Sequence, residues 1–294
     1  SGTETMEGAF KIARRFGKAK KGENAHRIIA MNRSFHGRTY GALSATGQPK
    51  LWEGFGPMLE GFDFAEFNDL ASVKALMTPD VCAVVLEPVQ GEGGIYPAEE
   101  DFIKGVRELC DAKGALLIFD EIQCGLGRTG RFCCHEHFGI RPDIMALAKP
   151  IAGGIPLGAI LTTNAVSEVM PPGSHGSTFG GGPLACQVGL AVVERIRDPK
   201  FLENVRKMGD YLKTALLGLK ADHPMITAVR GMGLMIGFGL DRDPKPFIDA
   251  CVEEGLLVCK TGENAIRLLP PLTVTPSEVD EAVQKLHRVL TKIS

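Results

Sequence analysis

Two residues of the chain could together act on an amino group. Asp120 ends an apolar run at 115–119 that is typical of a buried strand, and Lys149 ends a second apolar stretch at 144–148. A carboxylate at the carboxyl end of such a strand lies where open α/β sheets bind their ligands. Burial of the lysine would favour its use as a nucleophile that forms a Schiff base. A lysine of this kind, with an acid that can hold a pyridinium nitrogen, is typical of pyridoxal phosphate chemistry.

The segments around this pair offer groups that could bind a planar, phosphorylated ligand. Gly2 and Thr3 stand near the start of a predicted helix, where exposed N–H groups and the positive helix end suit a phosphate. Phe35 could stack on a planar ring, and Gln123 could donate a hydrogen bond to its phenolic oxygen. Taken alone, the segment at Gly2 and Thr3 is more typical of an ordinary capped helix, and the segment at Phe35 is more typical of a packed turn.

Charged residues elsewhere could select a substrate. Arg38 could hold a carboxylate through two parallel hydrogen bonds. Glu87 and Glu92 follow the apolar run at 81–86, where two acids need partners unless the loop is solvated. Arg267 lies among apolar residues, so it either pairs with an acid or binds a substrate carboxylate.

Composition restricts the class of protein. The chain has 294 residues, of which 44% are hydrophobic and 23% charged, as in globular proteins. A net charge of -2 predicts no binding to nucleic acid or to an anionic membrane, and no signal peptide or membrane span is predicted. The eight cysteines lack Cys-x-x-Cys spacing and indicate reduced thiols. Since His135 and His137 lack further obvious ligands, no metal site is expected.

The order of apolar runs and helical periodicities predicts an α/β fold. Buried strands separated by helices favour a large domain at 1–197 with a mostly parallel sheet between helices. Shorter alternating elements favour a smaller C-terminal α+β domain at 198–294. Strands are expected at 27–31, 81–86, 115–119, 157–162, 225–229, 232–240 and 256–259. Helices are expected at 4–17, 101–113, 183–197, 200–219, 245–254 and from 276.

Taken together, the segments resemble the class III (subgroup II) aminotransferases, which are fold-type I pyridoxal phosphate enzymes. Seven segments in order carry the resemblance over essentially the whole chain. They are SGTET (1–5), SFHGRTYGALSATGQPK (34–50), EPVQGEGG (87–94), LLIFDEIQCGLGRTG (116–130), PDIMALAKPIAGGIPLGA (142–159), HGSTFGGGPLAC (175–186) and IRLLPPLT (266–273). The resemblance starts at the first of these, so we expect the family's N-terminal segment to be missing and the sequence to be a fragment.

The resemblance implies residues that bind the cofactor, pyridoxal 5'-phosphate. Lys149 would be the Schiff-base lysine and would move the proton between substrate and cofactor. Asp120 would pair with the pyridinium nitrogen. The other residues implied at the phosphate, ring and phenolic oxygen are Gly2, Thr3, Phe35, Glu121, Ile122, Gln123 and Thr178.

The resemblance also implies residues that bind substrates. Arg267 would grip the carboxylate of 2-oxoglutarate or glutamate, and Glu92 would pair with Arg267 when a basic amino substrate enters. Arg38 and Ser177 would contact the carboxylate or acyl end of an acylated substrate. Thr178 would reach the phosphate in the neighbouring subunit, which implies a homodimer with shared active sites.

The activity implied is ping-pong transamination. The terminal amino group of N-acetylornithine would pass to 2-oxoglutarate, giving N-acetylglutamate 5-semialdehyde and glutamate, in arginine biosynthesis. The segments ALSATG (42–47) and HGSTF (175–179) favour this donor. The segment QGE (90–92) also suits ornithine, succinylornithine, 4-aminobutyrate or a carrier-bound lysine precursor as the donor. The expected location is the cytoplasm, or a mitochondrial or plastid matrix in a eukaryote.

A pyridoxal-phosphate-dependent aminomutase of the same fold is the alternative from another class. Such an enzyme moves an amino group within one molecule. The pair of Glu92 and Arg267 argues against it, because an aminomutase has no need to admit 2-oxoglutarate.

Overall fold

The computed structural model of the protein describes residues 1–293. Its strands are β1 (Arg27–Met31), β2 (Phe62–Ala65), β3 (Val81–Leu86), β4 (Val89–Gln90), β5 (Tyr96–Pro97), β6 (Leu116–Asp120), β7 (Ile144–Leu147), β8 (Ala159–Thr162), β9 (Ile226–Met232), β10 (Met235–Leu240), β11 (Cys259–Thr261) and β12 (Ala265–Leu268).

The helices alternate with these strands along the chain. They are α1 (Gly2–Lys21), α2 (Tyr40–Ser44), α3 (Leu70–Leu76), α4 (Glu100–Lys113), α5 (Asn164–Ser167), α6 (Pro183–Ile196), α7 (Pro199–Asp222), α8 (Lys245–Glu253) and α9 (Pro276–Ile293), with 3-10 helices at Pro49–Leu51, Cys134–His137 and Lys149–Ala152. Across residues 1–293, none of the helices combines the length and the apolar character that crossing a membrane requires.

The central sheet has six strands in the order β2-β1-β3-β6-β7-β8. All neighbours are parallel except β8, which runs antiparallel to β7 at the edge. Every residue of β3 and β6 is buried, because helices cover both faces of the sheet. The prediction of a mostly parallel sheet between helices is confirmed.

The two faces of β6 determine where Asp120 points. Side chains alternate between the faces of a strand. Leu116 and Ile118 pack in the hydrophobic cluster that contains α1, whereas Leu117 and Phe119 pack in the cluster that contains α4. Since Asp120 follows Ile118 by two residues, its carboxylate lies on the face that α1 covers.

A second sheet, of antiparallel strands in the order β11-β12-β10-β9, follows in the C-terminal part. The core side chains of β10 pack in one hydrophobic cluster with residues of α7, α8 and α9. This arrangement agrees with the predicted α+β character of the region. The boundary between 197 and 198 stays a prediction.

Several predicted elements differ from the structure. Helix α1 begins at Gly2 rather than at residue 4, since Ser1 caps it by accepting the N–H of Glu4 through its side-chain oxygen. The strand expected at 256–259 is wrong: β11 begins at Cys259 and pairs with β12, which was not predicted. Strand β12 has four residues, and its apolar pattern is interrupted by an arginine.

We expect the free energy of unfolding to depend strongly on β6. Ile118 is fully buried between β6 and α1, so Ile118→Ala should lower the stability by about 2–5 kcal/mol. The control Leu257→Ala, at a side chain that is 86% exposed, should change it by less than about 0.5 kcal/mol. Urea denaturation measures both. Equal losses in the two variants would contradict this packing.

Candidate active site

A pocket of about 270 Å³ lies where β3, β6 and β7 end and α1 begins. The predicted residues in its lining are Gly2, Thr3, Phe35, Arg38, Glu92, Asp120, Ile122, Gln123 and Lys149, and His36 and Glu87 join them. A larger cleft of about 1010 Å³ opens on the other side of Glu92, but its lining contains neither Asp120 nor Lys149. The smaller pocket therefore brings together the groups that could do chemistry.

Asp120 is held at the base of this pocket by two hydrogen bonds. The residue is 4% exposed. Its Oδ1 accepts from the Ile122 N–H at 3.1 Å, and its Oδ2 accepts from Nδ1 of His36 at 2.8 Å. These contacts satisfy a buried carboxylate. They leave Nε2 of His36 buried without a hydrogen-bond partner among the described residues.

His36 was not singled out from the sequence. A histidine after a strand carries no signal for its partner, because the contact with Asp120 depends on β1 and β6 lying on either side of β3. The sequence SFHG did place it next to Phe35, which lines the same pocket.

Lys149 lines the pocket, but the prediction that it is buried is wrong. Its side chain is exposed, although β7 directly before it is buried. The backbone of Lys149 has a φ of 46°, in the left-handed region, and begins the 3-10 helix Lys149–Ala152. Non-glycine residues adopt this conformation rarely, and it is enriched at functional sites. The turn carries the side chain out of the core and into the pocket.

The first turn of α1 and the loop after β1 form one wall. Oγ1 of Thr3 lies 2.7 Å from Oγ1 of Thr39 and accepts the N–H of Thr39 at 3.3 Å. Gly37 between them has a φ of 137°, and a Cβ there would lie 2.3 Å from Oγ1 of Thr3. Gly2 and Thr3 therefore present the helix N-terminus to the pocket, as a phosphate would require.

Phe35 and Arg38 form the outer part of the same wall. The guanidinium of Arg38 lies 5.6 Å from the centre of the Phe35 ring, within cation–π distance. Arg38 is exposed and Phe35 half-buried. The ring can cover a planar ligand while the guanidinium remains available to a carboxylate.

Arg267 and Glu92 form an ion pair at the edge of the pocket, the pairing that the family resemblance implies. Nη1 of Arg267 donates to Oε1 of Glu92 and, at 3.2 Å, to Oε1 of Gln123. Nε of Arg267 is buried and has no hydrogen-bond partner among residues 1–293. Arg267 comes from β12, so the smaller sheet supplies this group.

Glu87 is a buried acid that the sequence identified only as part of a segment. Its Oε1 accepts the N–H of Phe35 at 2.9 Å, and its Oε2 accepts the N–H of Gly91 at 3.0 Å. Burial, with a smaller contribution from Asp120, raises the pKa of Glu87 to about 7, while the nearby His36 opposes the shift.

Glu121 does not line the pocket, so the position of its side chain gives no support to the predicted contact with the cofactor, which stays a prediction. Its side chain points to the opposite face of the strand end from Asp120. Its carboxylate accepts the N–H groups of Cys134 and His135, at 2.6 and 2.8 Å, and Nδ1 of His135 at 2.8 Å. Ile122 does reach the pocket and packs against Gly2.

The absence of a metal site stays a prediction, although the fold places two possible ligands beside His135 that the sequence did not indicate. Glu121, Cys133 and His135 place one possible ligand atom each within 4.8 Å of one another. The hydrogen bonds to Glu121 account for the position of its carboxylate without an ion.

Ser177 and Thr178 lie outside the pocket of their own chain. Both are exposed, and Phe179 next to them is 89% exposed. Their predicted contacts with the substrate and with a neighbouring subunit's cofactor stay predictions.

The residues of the pocket fit pyridoxal phosphate. A buried carboxylate, an aromatic side chain, an accessible lysine and a helix N-terminus are the groups that its pyridine nitrogen, ring, aldehyde and phosphate require. No part of this fit depends on Glu121, Ser177 or Thr178.

The fold and this pocket define an α/β enzyme of fold type I, and known proteins specify the family. Residues 1–290 match the family model Aminotransferase class-III. The chain belongs to this family, as the resemblance predicted.

Individual relatives agree with this assignment. The acetylornithine aminotransferase of Caldanaerobacter subterraneus subsp. tengcongensis is 45% identical, over 100% of this chain and 75% of its own length. The ornithine aminotransferase of Toxoplasma gondii ME49 superimposes with a TM-score of 0.95 at 34% identity, over 100% of this chain and 72% of the other. The acetylornithine aminotransferase of Elizabethkingia anophelis superimposes with a TM-score of 0.85 at 33% identity, over 99% of this chain and 73% of the other.

The raised pKa of Glu87 predicts a pH dependence of stability. Because the pKa of Glu87 is higher in the folded than in the unfolded state, protonation of Glu87 favours the folded state. The stabilisation is complete below pH 4.5, which is the ordinary pKa of a glutamate. This contribution is lost as the pH rises through about 7. In Glu87→Gln, which cannot ionise, the contribution is absent.

We therefore expect the stability of the cofactor-free wild type to fall relative to Glu87→Gln as the pH rises across this window. Urea denaturation of both proteins at several pH values measures the difference. A difference that does not change with pH would contradict the burial of an ionisable Glu87.

Proposed function

We propose that the chain binds pyridoxal 5'-phosphate in this pocket and transfers the terminal amino group of N-acetylornithine to 2-oxoglutarate. The products would be N-acetylglutamate 5-semialdehyde and glutamate. The observation that carries the proposal is that one pocket contains Lys149 and the Asp120–His36 pair and has the Glu92–Arg267 pair at its edge. The names of the relatives from Caldanaerobacter and Elizabethkingia support the choice of amino donor.

Each of three residues around the cofactor would have a separate role in the reaction. When bound, pyridoxal phosphate supplies an aldehyde that carries the amino group and a ring that accepts electrons. The Asp120 carboxylate, oriented by His36, would hold the proton on the pyridine nitrogen. Nζ of Lys149 would take the proton from the substrate carbon. Oε1 of Gln123 accepts from Arg267, so the amide nitrogen of Gln123 would donate to the phenolic oxygen.

The Glu92–Arg267 pair would let one pocket accept two different substrates. With the pair closed, Glu92 neutralises Arg267, and the pocket admits an amino donor with no carboxylate at that end. When 2-oxoglutarate enters, one of its carboxylates would replace Glu92 on the guanidinium. Arg38 and Ser177 would bind the carboxylate or acyl end of the donor.

We also propose that the enzyme is a homodimer in which Thr178 contacts the phosphate bound by the other subunit. The segment around Thr178 exposes Phe179, Leu184 and Leu190, which are unusually large apolar side chains for a surface. Sedimentation measures the state directly, and a monomer in the presence of cofactor would contradict the shared site.

The proposed location is the cytoplasm, or an organelle matrix in a eukaryote. The eight cysteines are free thiols in the structure, which suits a reducing compartment. Fractionation of the source cells would test this, and recovery from an oxidising compartment would contradict it.

A related aminotransferase that uses ornithine, succinylornithine, 4-aminobutyrate or a carrier-bound lysine precursor is the second candidate. The similarity to the Toxoplasma ornithine aminotransferase favours ornithine among these donors. An aminomutase is the candidate from another class, and it would form product without any added keto acid.

The identity of the amino donor can be measured in a single turnover. The visible absorbance of the cofactor-loaded protein is followed while N-acetylornithine, ornithine and 4-aminobutyrate are added separately. We expect N-acetylornithine to bleach the band at the lowest concentration, and 2-oxoglutarate to restore it.

Lys149→Ala is the matched control, since it removes the amine that would attach the cofactor. It should lack the visible band of the wild type. A stronger response to another donor would overturn the substrate, and a full reaction without keto acid would indicate the aminomutase.

A further inference from the structure

The side chain of Glu87 forms hydrogen bonds to two loops of the pocket, one that contains Phe35 and one that contains Glu92. It lies directly after β3 and is 5% exposed. One oxygen accepts the N–H of Phe35, in the loop after β1, at 2.9 Å. The other accepts the N–H of Gly91, in the loop that carries Glu92, at 3.0 Å. A single carboxylate therefore fixes the backbone at Phe35, which would cover the cofactor ring, and at Gly91, next to Glu92. The pair of Glu92 and Arg267 is called the substrate gate below.

Gly91 transmits this restraint to the smaller sheet. Its carbonyl accepts from Oγ1 of Thr261 at 2.7 Å and from Nη1 of Arg267 at 3.4 Å. The backbone also passes so close to Gln123 that a Cβ on Gly91 would lie 2.3 Å from Oε1 of that side chain. A shift of Gly91 would therefore displace Glu92, Gln123 and Arg267 together.

Only a carboxylate can satisfy both loops from this position. Both donors are backbone N–H groups, so both arms of the side chain must end in an acceptor. A glutamine of the same shape has one acceptor and one donor, and its NH₂ group would face an N–H. A side chain that served only the stability of the fold would not need to be an acid here, because burying a carboxylate costs free energy.

We propose that Glu87 is a positioning residue that couples the placement of Phe35 on the cofactor ring to the geometry of the Glu92–Arg267 gate. The inference rests on the cofactor site and the two-substrate gate proposed above. Loss of either hydrogen bond would weaken cofactor binding and keto-acid binding at once, although the hydrogen bonds of the Glu87 side chain go to Phe35 and Gly91 and not to Arg267 or Glu92.

The test compares Glu87→Gln with the wild type in two separate binding properties. Equilibrium dialysis gives the Kd for pyridoxal phosphate, and the half-reaction at saturating cofactor gives the KM for 2-oxoglutarate. We expect both to rise about tenfold, the effect of one lost hydrogen bond to a charged group. The melting temperature of the cofactor-free variant at about pH 8 should change little, because removal of the buried charge offsets the lost hydrogen bond.

Three comparison variants distinguish a coupled effect on both constants from a local effect on one of them. Glu92→Gln should lower the KM for 2-oxoglutarate, because it removes the charge that competes for Arg267, and should leave the cofactor Kd unchanged. Glu53→Gln, at an exposed glutamate away from the pocket, should change neither. Glu87→Asp keeps the charge but is too short to reach both N–H groups, so it should show the same double loss as Glu87→Gln.

The outcomes distinguish this inference from the function on which it rests. If the wild type binds the cofactor and transaminates, but Glu87→Gln and Glu87→Asp change only one of the two constants or neither, the coupling is wrong. If the wild type neither binds pyridoxal phosphate nor transfers an amino group, the proposed function fails and the inference fails with it.

Discussion

The hydrogen bond between the buried carboxylate of Asp120 and His36 is the interaction on which the site depends. A carboxylate that is 4% exposed would cost several kcal/mol without partners. His36 and the Ile122 N–H supply them, and together they fix the carboxylate at the end of β6. The open side of the pocket then defines where a positively charged ring nitrogen can be placed.

The topology of the large sheet explains how these residues meet. Strands β1, β3, β6 and β7 are adjacent and parallel, so the loops that follow them end at one edge. His36, Glu87, Asp120 and Lys149 each come from the end of a different strand. The smaller sheet adds Arg267 from β12. The Glu92–Arg267 gate and the cofactor site therefore lie on separate rigid elements, and the loop at Gly91 connects them through its hydrogen bond with Arg267.

Much of this arrangement could be predicted from the sequence, and the exceptions have physical reasons. Asp120 is predicted because a polar residue ends an apolar run. The need of Arg267 for an acid or a substrate carboxylate follows from its apolar neighbours, whereas Glu92 as its partner follows only from the family resemblance. The contacts of His36 and Glu87 were not found, since they depend on which strands are neighbours. The burial of Lys149 was wrong because a left-handed turn follows β7, and Glu121 faces away from the pocket because side chains alternate at a strand end.

Covalent attachment of the cofactor to Lys149 tests the central claim most directly. The protein is loaded with pyridoxal phosphate, reduced with borohydride, digested and analysed by peptide mass spectrometry. The account predicts that the reduced cofactor is found on the peptide that contains Lys149 and that Lys149→Ala carries none. Attachment to a different lysine in the wild type, or no attachment after loading, would contradict it.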